Sequence, residues 1–231
     1  MRLSDVFFPS NIRCIFCGTE LDNEVGICAT CNSRLPYIMG NRCAKCGGEV
    51  VSEDYCIDCS REVRLFVRNY SVFNYKGEVK DMLRAFKSGK PYLGKPFAHI
   101  LYDYYRRLDT HFDVVIPIPI HKSREKERGF NQAEILASEI ERNTGLVRND
   151  IVVKAVDTPH QTGLSRENRL TNIIGSFEVV DKTAVKGKTI LVVDDIYTTG
   201  STINEVARIL LEAGATAVYG LCLARGKTID Y

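Results

Sequence analysis

From about Tyr70 onward, apolar positions along the chain alternate between two rhythms. Val79, Met82, Leu83 and Phe86 fall at the i, i+3, i+4, i+7 spacing of one helix face, so a single stripe turns toward a core. Ala133, Leu136, Ala137 and Ile140 repeat that spacing, as do Ile203, Val206, Ala207 and Leu210. Ser201 or Thr202 is the expected cap of the last of these helices, and Gly214 its stop. Between the helical stretches lie short runs rich in branched residues, at 114–120, 151–156, 189–193 and 217–224. Runs that are apolar at nearly every position suit strands buried on both faces, as in a parallel sheet. Strand–helix alternation predicts an α/β domain over residues 67–231, an open, mostly parallel sheet with helices on both faces. Residues 1–66 lack this alternation and are expected to form a small separate domain.

That smaller segment changes the picture through its cysteines. Eight of the nine cysteines lie within the first 59 residues. They fall into four CxxC turns: Cys14 with Cys17, Cys28 with Cys31, Cys43 with Cys46, and Cys56 with Cys59. Each CxxC turn presents two thiolates to one cation, and two such turns complete a tetrahedral Cys₄ site. Gly18, Gly47 and Gly48 follow the first turn of each unit, where the chain must bend tightly. The spacing predicts two consecutive zinc ribbons with structural zinc, whose binding energy folds a module too small for a core of its own. Pairing the first turn with the third is the alternative, and disulfides are the competing use of so many cysteines. Cys222 sits inside the last apolar run and reads as a small core residue.

Composition narrows the compartment and the partners. Hydrophobic residues make up 45% and charged residues 26%, with a net charge of +2. These values suit a globular protein without a bulk field toward nucleic acid or anionic membrane. Neither a signal-peptide core nor a membrane-length apolar run is present in the sequence. A cytoplasmic location without membrane insertion is therefore expected, and a reducing cytoplasm favours metal over disulfides.

The densest chemistry lies in TILVVDDIYTTGST, residues 189–202. A buried strand runs into Asp194 and Asp195, which places two carboxylates at the carboxyl end of a central strand, where open α/β sheets bind ligands. The loop Thr198, Thr199, Gly200, Ser201, Thr202 adds hydroxyls and backbone N–H groups at a helix N-terminus, a cradle for phosphate. Carboxylates beside it can accept hydrogen bonds from sugar hydroxyls. Together they describe a site for a ribose 5′-phosphate. The bland alternative is a solvated acidic turn with a Ser/Thr cap. A Walker-type loop is excluded, because GxxxxGK[ST] does not occur. Upstream, Lys122, Arg124, Lys126 and Arg128 leave the strand run at 114–120 in what reads as a basic loop, with Glu125 and Glu127 between them. Arginine there can grip a pyrophosphate bidentately, and the alternative is a solvated charged turn.

The segment VVDDIYTTGST resembles the phosphoribosyl pyrophosphate fingerprint of type I phosphoribosyltransferases. The segment PIPIHKSREKERGFNQA, residues 117–133, resembles the pyrophosphate loop of the ComF family, also called ComFC or competence protein F. The CxxC units, this loop and the fingerprint occur in that family's order, so the resemblance covers essentially the whole chain. It implies a double zinc ribbon ahead of a type I phosphoribosyltransferase fold. It also implies roles. Asp194 and Asp195 would hold the ribose 2′- and 3′-hydroxyls, and residues 198–202 the 5′-phosphate. Lys122, Arg124 and Arg128, with magnesium, would neutralise the departing pyrophosphate. The segment 159–172 resembles the family's mobile loop, with Gln161, Arg166, Arg169 and Asn172 as its polar candidates. The stretch 75–87 also resembles the family but receives no role. The implied activity is pentosyl transfer from phosphoribosyl pyrophosphate to an unidentified acceptor base, in support of natural competence and DNA uptake. The alternative is a non-catalytic accessory that binds single-stranded DNA or docks on a DNA-uptake helicase or ATPase.

Overall fold

The computed structural model describes residues 13–21, 25–156 and 173–226. In chain order its elements are α1 (Ala29–Asn32), α2 (Ile57–Arg61), β1 (Asn69–Asn74), α3 (Gly77–Lys87), α4 (Gly94–Tyr105), β2 (Val114–Pro117), α5 (Lys122–Arg128), α6 (Gln132–Thr144), β3 (Val152–Lys154), β4 (Phe177–Val179), β5 (Thr189–Tyr197), α7 (Ser201–Glu212) and β6 (Ala217–Arg225). The main sheet has the order β1-β6-β5-β2, and every neighbouring pair is parallel.

The period of two along each strand sorts side chains onto two faces. Val115, Leu191, Val193, Leu221 and Leu223 enter one core, with Leu83 and Phe86 of α3, Phe97 and Leu101 of α4, and Leu136 and Ile140 of α6. Val114, Ile116, Ile190, Val192, Val218 and Cys222 enter the other, with Ile203, Val206, Ala207 and Leu210 of α7. Helices therefore cover both faces, and the three predicted stripes are the ones that pack. A fully buried Leu or Phe contributes about 1.5–3 kcal/mol, so burial of these stripes fixes each helix's rotation.

The two cysteine units repeat one backbone pattern. Cys14 N–H donates to Thr19 O (2.8 Å) and Gly18 N–H to Cys14 O (2.8 Å). In the second unit Cys43 N–H donates to Gly48 O (2.8 Å) and Gly47 N–H to Cys43 O (3.0 Å). Gly18 and Gly47 both adopt positive φ, 73° and 70°, where L side chains are strained. At Gly47 the need is also steric, since a Cβ would lie 2.4 Å from Asn69 O. The units flank the β1 side of the sheet. Cys14 and Cys31 belong to one core and Cys43 and Cys46 to the other. Phe16 meets Phe97 edge-on at 6.5 Å, and Asn69 Nδ2 donates to Cys46 O at 3.1 Å.

Four expectations need correction. The run at 151–156 is not a strand of the parallel sheet. It gives β3, which pairs antiparallel with β4 in a separate two-stranded sheet, because Val152 is buried while Val153 is 37% exposed. The basic segment is not a loop but the helix α5, opened by His121, whose Nδ1 accepts from Ser123 N–H, and closed by Gly129 in the left-handed region. The cap of α7 is neither Ser201 nor Thr202; Gly200 holds that position with φ 76° and no side-chain cap. Finally, β5 continues beyond the acidic pair to Tyr197.

Candidate phosphoribosyl site and metal centres

Parallel pairing puts the carboxyl ends of β1, β5 and β2 on one edge of the sheet. Ile118 N–H donates to Val193 O (2.8 Å), so β2 leaves the sheet beside the acidic pair. Asn131 Nδ2 donates to Ile118 O (3.0 Å) while its Oδ1 accepts from Ala133 N–H (3.0 Å). That one side chain ties the start of α6 to the end of β2, and α5 is the connection between them. The start of the basic helix is therefore tethered beside the end of β2, next to the strand that carries Asp194 and Asp195.

Continuation of β5 buries the acidic pair more than a strand end would. Asp195 is only 7% exposed, and Asp194 Oδ1 accepts from Asp195 N–H at 2.8 Å. Burial, and then the charge of Asp195, pushes the Asp194 carboxyl up to about 7, since both effects disfavour the ionised form. Lys87 answers this charge. Its Nζ lies 2.9 Å from Asp195 Oδ2. Burial alone would depress the ammonium, but Asp195 and Asp194 together hold it above the usual lysine range. Burial depresses Arg128, and the largest opposing influence is the charge of Asp195. Arg128 Nη1 donates to Gln132 Oε1 at 2.6 Å. Arg124 influences Arg128 directly. Lys122 is exposed at the start of α5. Among the three basic candidates, Arg128 is half-buried and feels the charge of Asp195.

The loop after β5 is buried and hydrogen-bonded at its centre. Thr199 and Ser201 are each 3% exposed. Their hydroxyls are 2.9 Å apart, and Ser201 N–H reaches Thr199 Oγ1 at 3.3 Å. Thr198 and Thr202 are partly exposed. Gly200 is required twice. Its φ is positive, and a Cβ would sit 2.2 Å from the Tyr197 hydroxyl. The loop opens α7, a twelve-residue helix, whose first N–H groups lack intrahelical acceptors and favour an anion. Gln161, Arg166, Arg169 and Asn172 lie outside the described residues.

The metal centres are clearer still. One ligand atom from each of Cys14, Cys17, Cys28 and Cys31 lies within 4.8 Å of the others, and the same holds for Cys43, Cys46, Cys56 and Cys59. The pairing is sequential, and the interleaved alternative is excluded. All nine cysteines are free thiols. Four sulfurs at that separation fit tetrahedral zinc. The second centre has an outer partner that spacing did not reveal: Arg225 Nη2 donates to Cys46 Sγ at 3.1 Å. The Arg225 guanidinium also lies over the Tyr197 ring, 5.6 Å from its centroid.

Comparison with known proteins agrees with this geometry. A phosphoribosyl transferase domain model matches residues 91–228, and a double zinc ribbon model matches residues 3–60. Competence protein ComFC of Bacillus subtilis is 30% identical over 88% of this chain and 90% of its own length. The chain belongs to the ComFC family. Other ComFC-like relatives include competence protein F of Haemophilus influenzae, 28% identical over 93% of this chain and 97% of its own length. DNA utilization protein YhgH of Escherichia coli is 28% identical over 87% and 90% respectively. As a ComFC member the chain pairs a zinc-ribbon segment carrying two Cys₄ centres with a type I phosphoribosyltransferase fold. Among the described residues, no helix is long and apolar enough to cross a membrane.

Proposed function

We propose that this protein binds phosphoribosyl pyrophosphate with magnesium and acts as a phosphoribosyltransferase. The observation that carries the reading is the adjacency of Asp194 and Asp195 to a buried hydroxyl–glycine loop at the N-terminus of α7. In this reading the carboxylates accept the ribose 2′- and 3′-hydroxyls. Residues 198–202 accept the 5′-phosphate through N–H and hydroxyl donors. Arg128, supported by Arg124 and Lys122, stabilises charge that builds on the pyrophosphate oxygens as the C1–oxygen bond breaks. Magnesium arrives with the substrate and neutralises part of the same charge. The segment 159–172 would exclude water, which otherwise hydrolyses the activated sugar. Relatives named for competence and DNA utilization motivate a cytoplasmic role in DNA uptake. Calorimetry with phosphoribosyl pyrophosphate at fixed magnesium tests binding. Release of pyrophosphate in the presence of a panel of bases tests transfer. Binding without release under any base would leave a ligand-sensing role and remove the enzymatic one. Absence of binding in wild type would overturn the reading.

A further inference from the structure

The helix α3 has no part in the roles above, yet it delivers a charge to the ribose site. Val79, Leu83 and Phe86 are fully buried and fix its rotation. Phe86 stacks on Phe130, with centroids 5.5 Å apart, at the junction of α5 and α6. This anchors the C-terminal end of α3 against the basic helix and brings Lys87 Nζ to 2.9 Å from Asp195 Oδ2. A lysine at a helix C-terminus is ordinarily a solvated residue favoured by the helix dipole. Two observations set Lys87 apart. Its acceptor is a side chain only 10% exposed, on a different element, and a carboxylate so buried requires a partner. That carboxylate is also one of the two assigned to the sugar.

We propose that Lys87 is a positioning residue of the ribose site, holding Asp195 through Oδ2 and leaving its second oxygen to accept a sugar hydroxyl. The proposal rests on the phosphoribosyl reading above. The charged and titratable groups around the pair come from every adjoining element. Lys87 belongs to α3, Tyr75 follows β1, Arg128 lies on α5, Cys222 on β6 and Lys154 on β3. Arg128 and Lys154 also act on the pair through their charge, and Lys87 is the cation placed 2.9 Å from Asp195 Oδ2. Without Lys87, Asp194 would keep its proton to higher pH, because the lysine's charge opposes the effect of burial and of Asp195.

The test is calorimetric titration of the full zinc-loaded chain with phosphoribosyl pyrophosphate at fixed magnesium, between pH 6 and 8.5. Wild type is compared with K87M and K87R. Loss of one charge-assisted contact predicts about tenfold weaker binding by K87M at pH 7. The defect should shrink as pH rises, because Asp194 regains its charge; K87R should recover most of the affinity. Ionisation of the ligand is common to all three proteins and cancels in the comparison. An unchanged Kd in K87M, or a defect of equal size at every pH, overturns the proposal. A second readout needs no ligand: carboxyl ¹³C titration of the apo protein should show a higher midpoint for Asp194 in K87M. If wild type fails to bind, the phosphoribosyl reading fails, and the carboxyl titration alone decides whether Lys87 holds the pair. An unmoved midpoint then overturns the proposal. If K87M does not fold, K87Q carries the same comparisons.

Discussion

The burial of Asp194 predicts that the acidic pair is held at the expense of stability. The informative perturbation is Asp194→Asn, which keeps shape and keeps an Oδ1 to accept from Asp195 N–H, a 2.8 Å hydrogen bond in the native protein. What it removes is an ionisable group. The Asp194 carboxyl is raised from its ordinary 3.8 to about 7, chiefly by burial and next by Asp195. An acid raised in this way holds a proton in the folded state that the unfolded chain has already released. Stability therefore falls as pH rises from about 4 to about 7, and the loss persists above that range. A shift from 3.8 to about 7, at about 1.4 kcal/mol per tenfold change, sets a ceiling of about 4 kcal/mol. Asp194 keeps some contact with solvent, and part of the shift is complete below pH 5. The expected gain of the variant over wild type between pH 5 and pH 8 is about 1–3 kcal/mol.

For a chain of this size that corresponds to roughly 2–10 °C in Tm. Thermal melts of both proteins in matched buffers from pH 5 to pH 8 provide the assay. Zinc–thiolate bonds also weaken toward low pH, but both proteins carry the same centres, so the difference between them isolates Asp194. The variant should be the more stable protein at pH 8 while binding phosphoribosyl pyrophosphate more weakly. A stability difference that stays flat from pH 5 to pH 8 refutes the argument, because Asp194 would then titrate as an ordinary surface acid.

Elemental analysis should find two zinc ions per chain, and Cys56→Ser should reduce the content to one, since each Cys₄ set is self-contained. Arg225→Met removes the donor to Cys46 Sγ; chelator competition should show the second centre releasing zinc about 10–100-fold more readily, with the first unchanged. Gly200→Ala forces a side chain into the left-handed region and against the Tyr197 ring, so urea denaturation should show a loss of about 2 kcal/mol or more, and an unchanged midpoint would contradict the loop geometry.

What could be read along the chain was whatever its chemistry keeps contiguous. A CxxC turn carries both its ligands and its bend within a few residues, and 189–202 carries strand, carboxylates and phosphate loop in sequence order. The three helix stripes were legible for the same reason, because Leu83, Leu136 and Val206 bury through a local period. The parts that escaped are assembled across the chain. β1 was hidden because its inward positions include Asn69 and Ser71, both fully buried. Asn69 is polar there because it bridges two elements: its Nδ2 donates to Cys46 O and Ser71 Oγ, and its Oδ1 lies 3.5 Å from Cys222 Sγ. The apolar positions of α4 were masked by its opening Gly94 and Pro96. Gly94 is required there, because a Cβ would lie 2.4 Å from Ile135.

The same logic applies to the contacts between the cysteine segment and the sheet. Cysteine spacing specifies a metal site but says nothing of what lies behind it. Behind Cys46 stands Arg225, from the last strand of the sheet, and beside Arg225 stands Tyr197, whose ring supports Gly200. Phe66, in the connection between ribbon and sheet, packs edge-on against the same Tyr197 at 6.3 Å, and Leu65 N–H donates to Asn204 Oδ1 in the first turn of α7 at 2.7 Å. The second ribbon thus buttresses the loop at 198–202 through side chains that are distant in sequence. In the proposed function these contacts would serve a rigid cradle. Backbone N–H groups can meet a phosphate in fixed geometry only if the residues beneath them cannot relax. A four-stranded sheet exposes its β1 edge. The cysteine segment covers that edge, with Ile38 N–H donating to Val72 O and Asn74 N–H to Pro36 O, and in doing so places a metal-stiffened wall behind the loop.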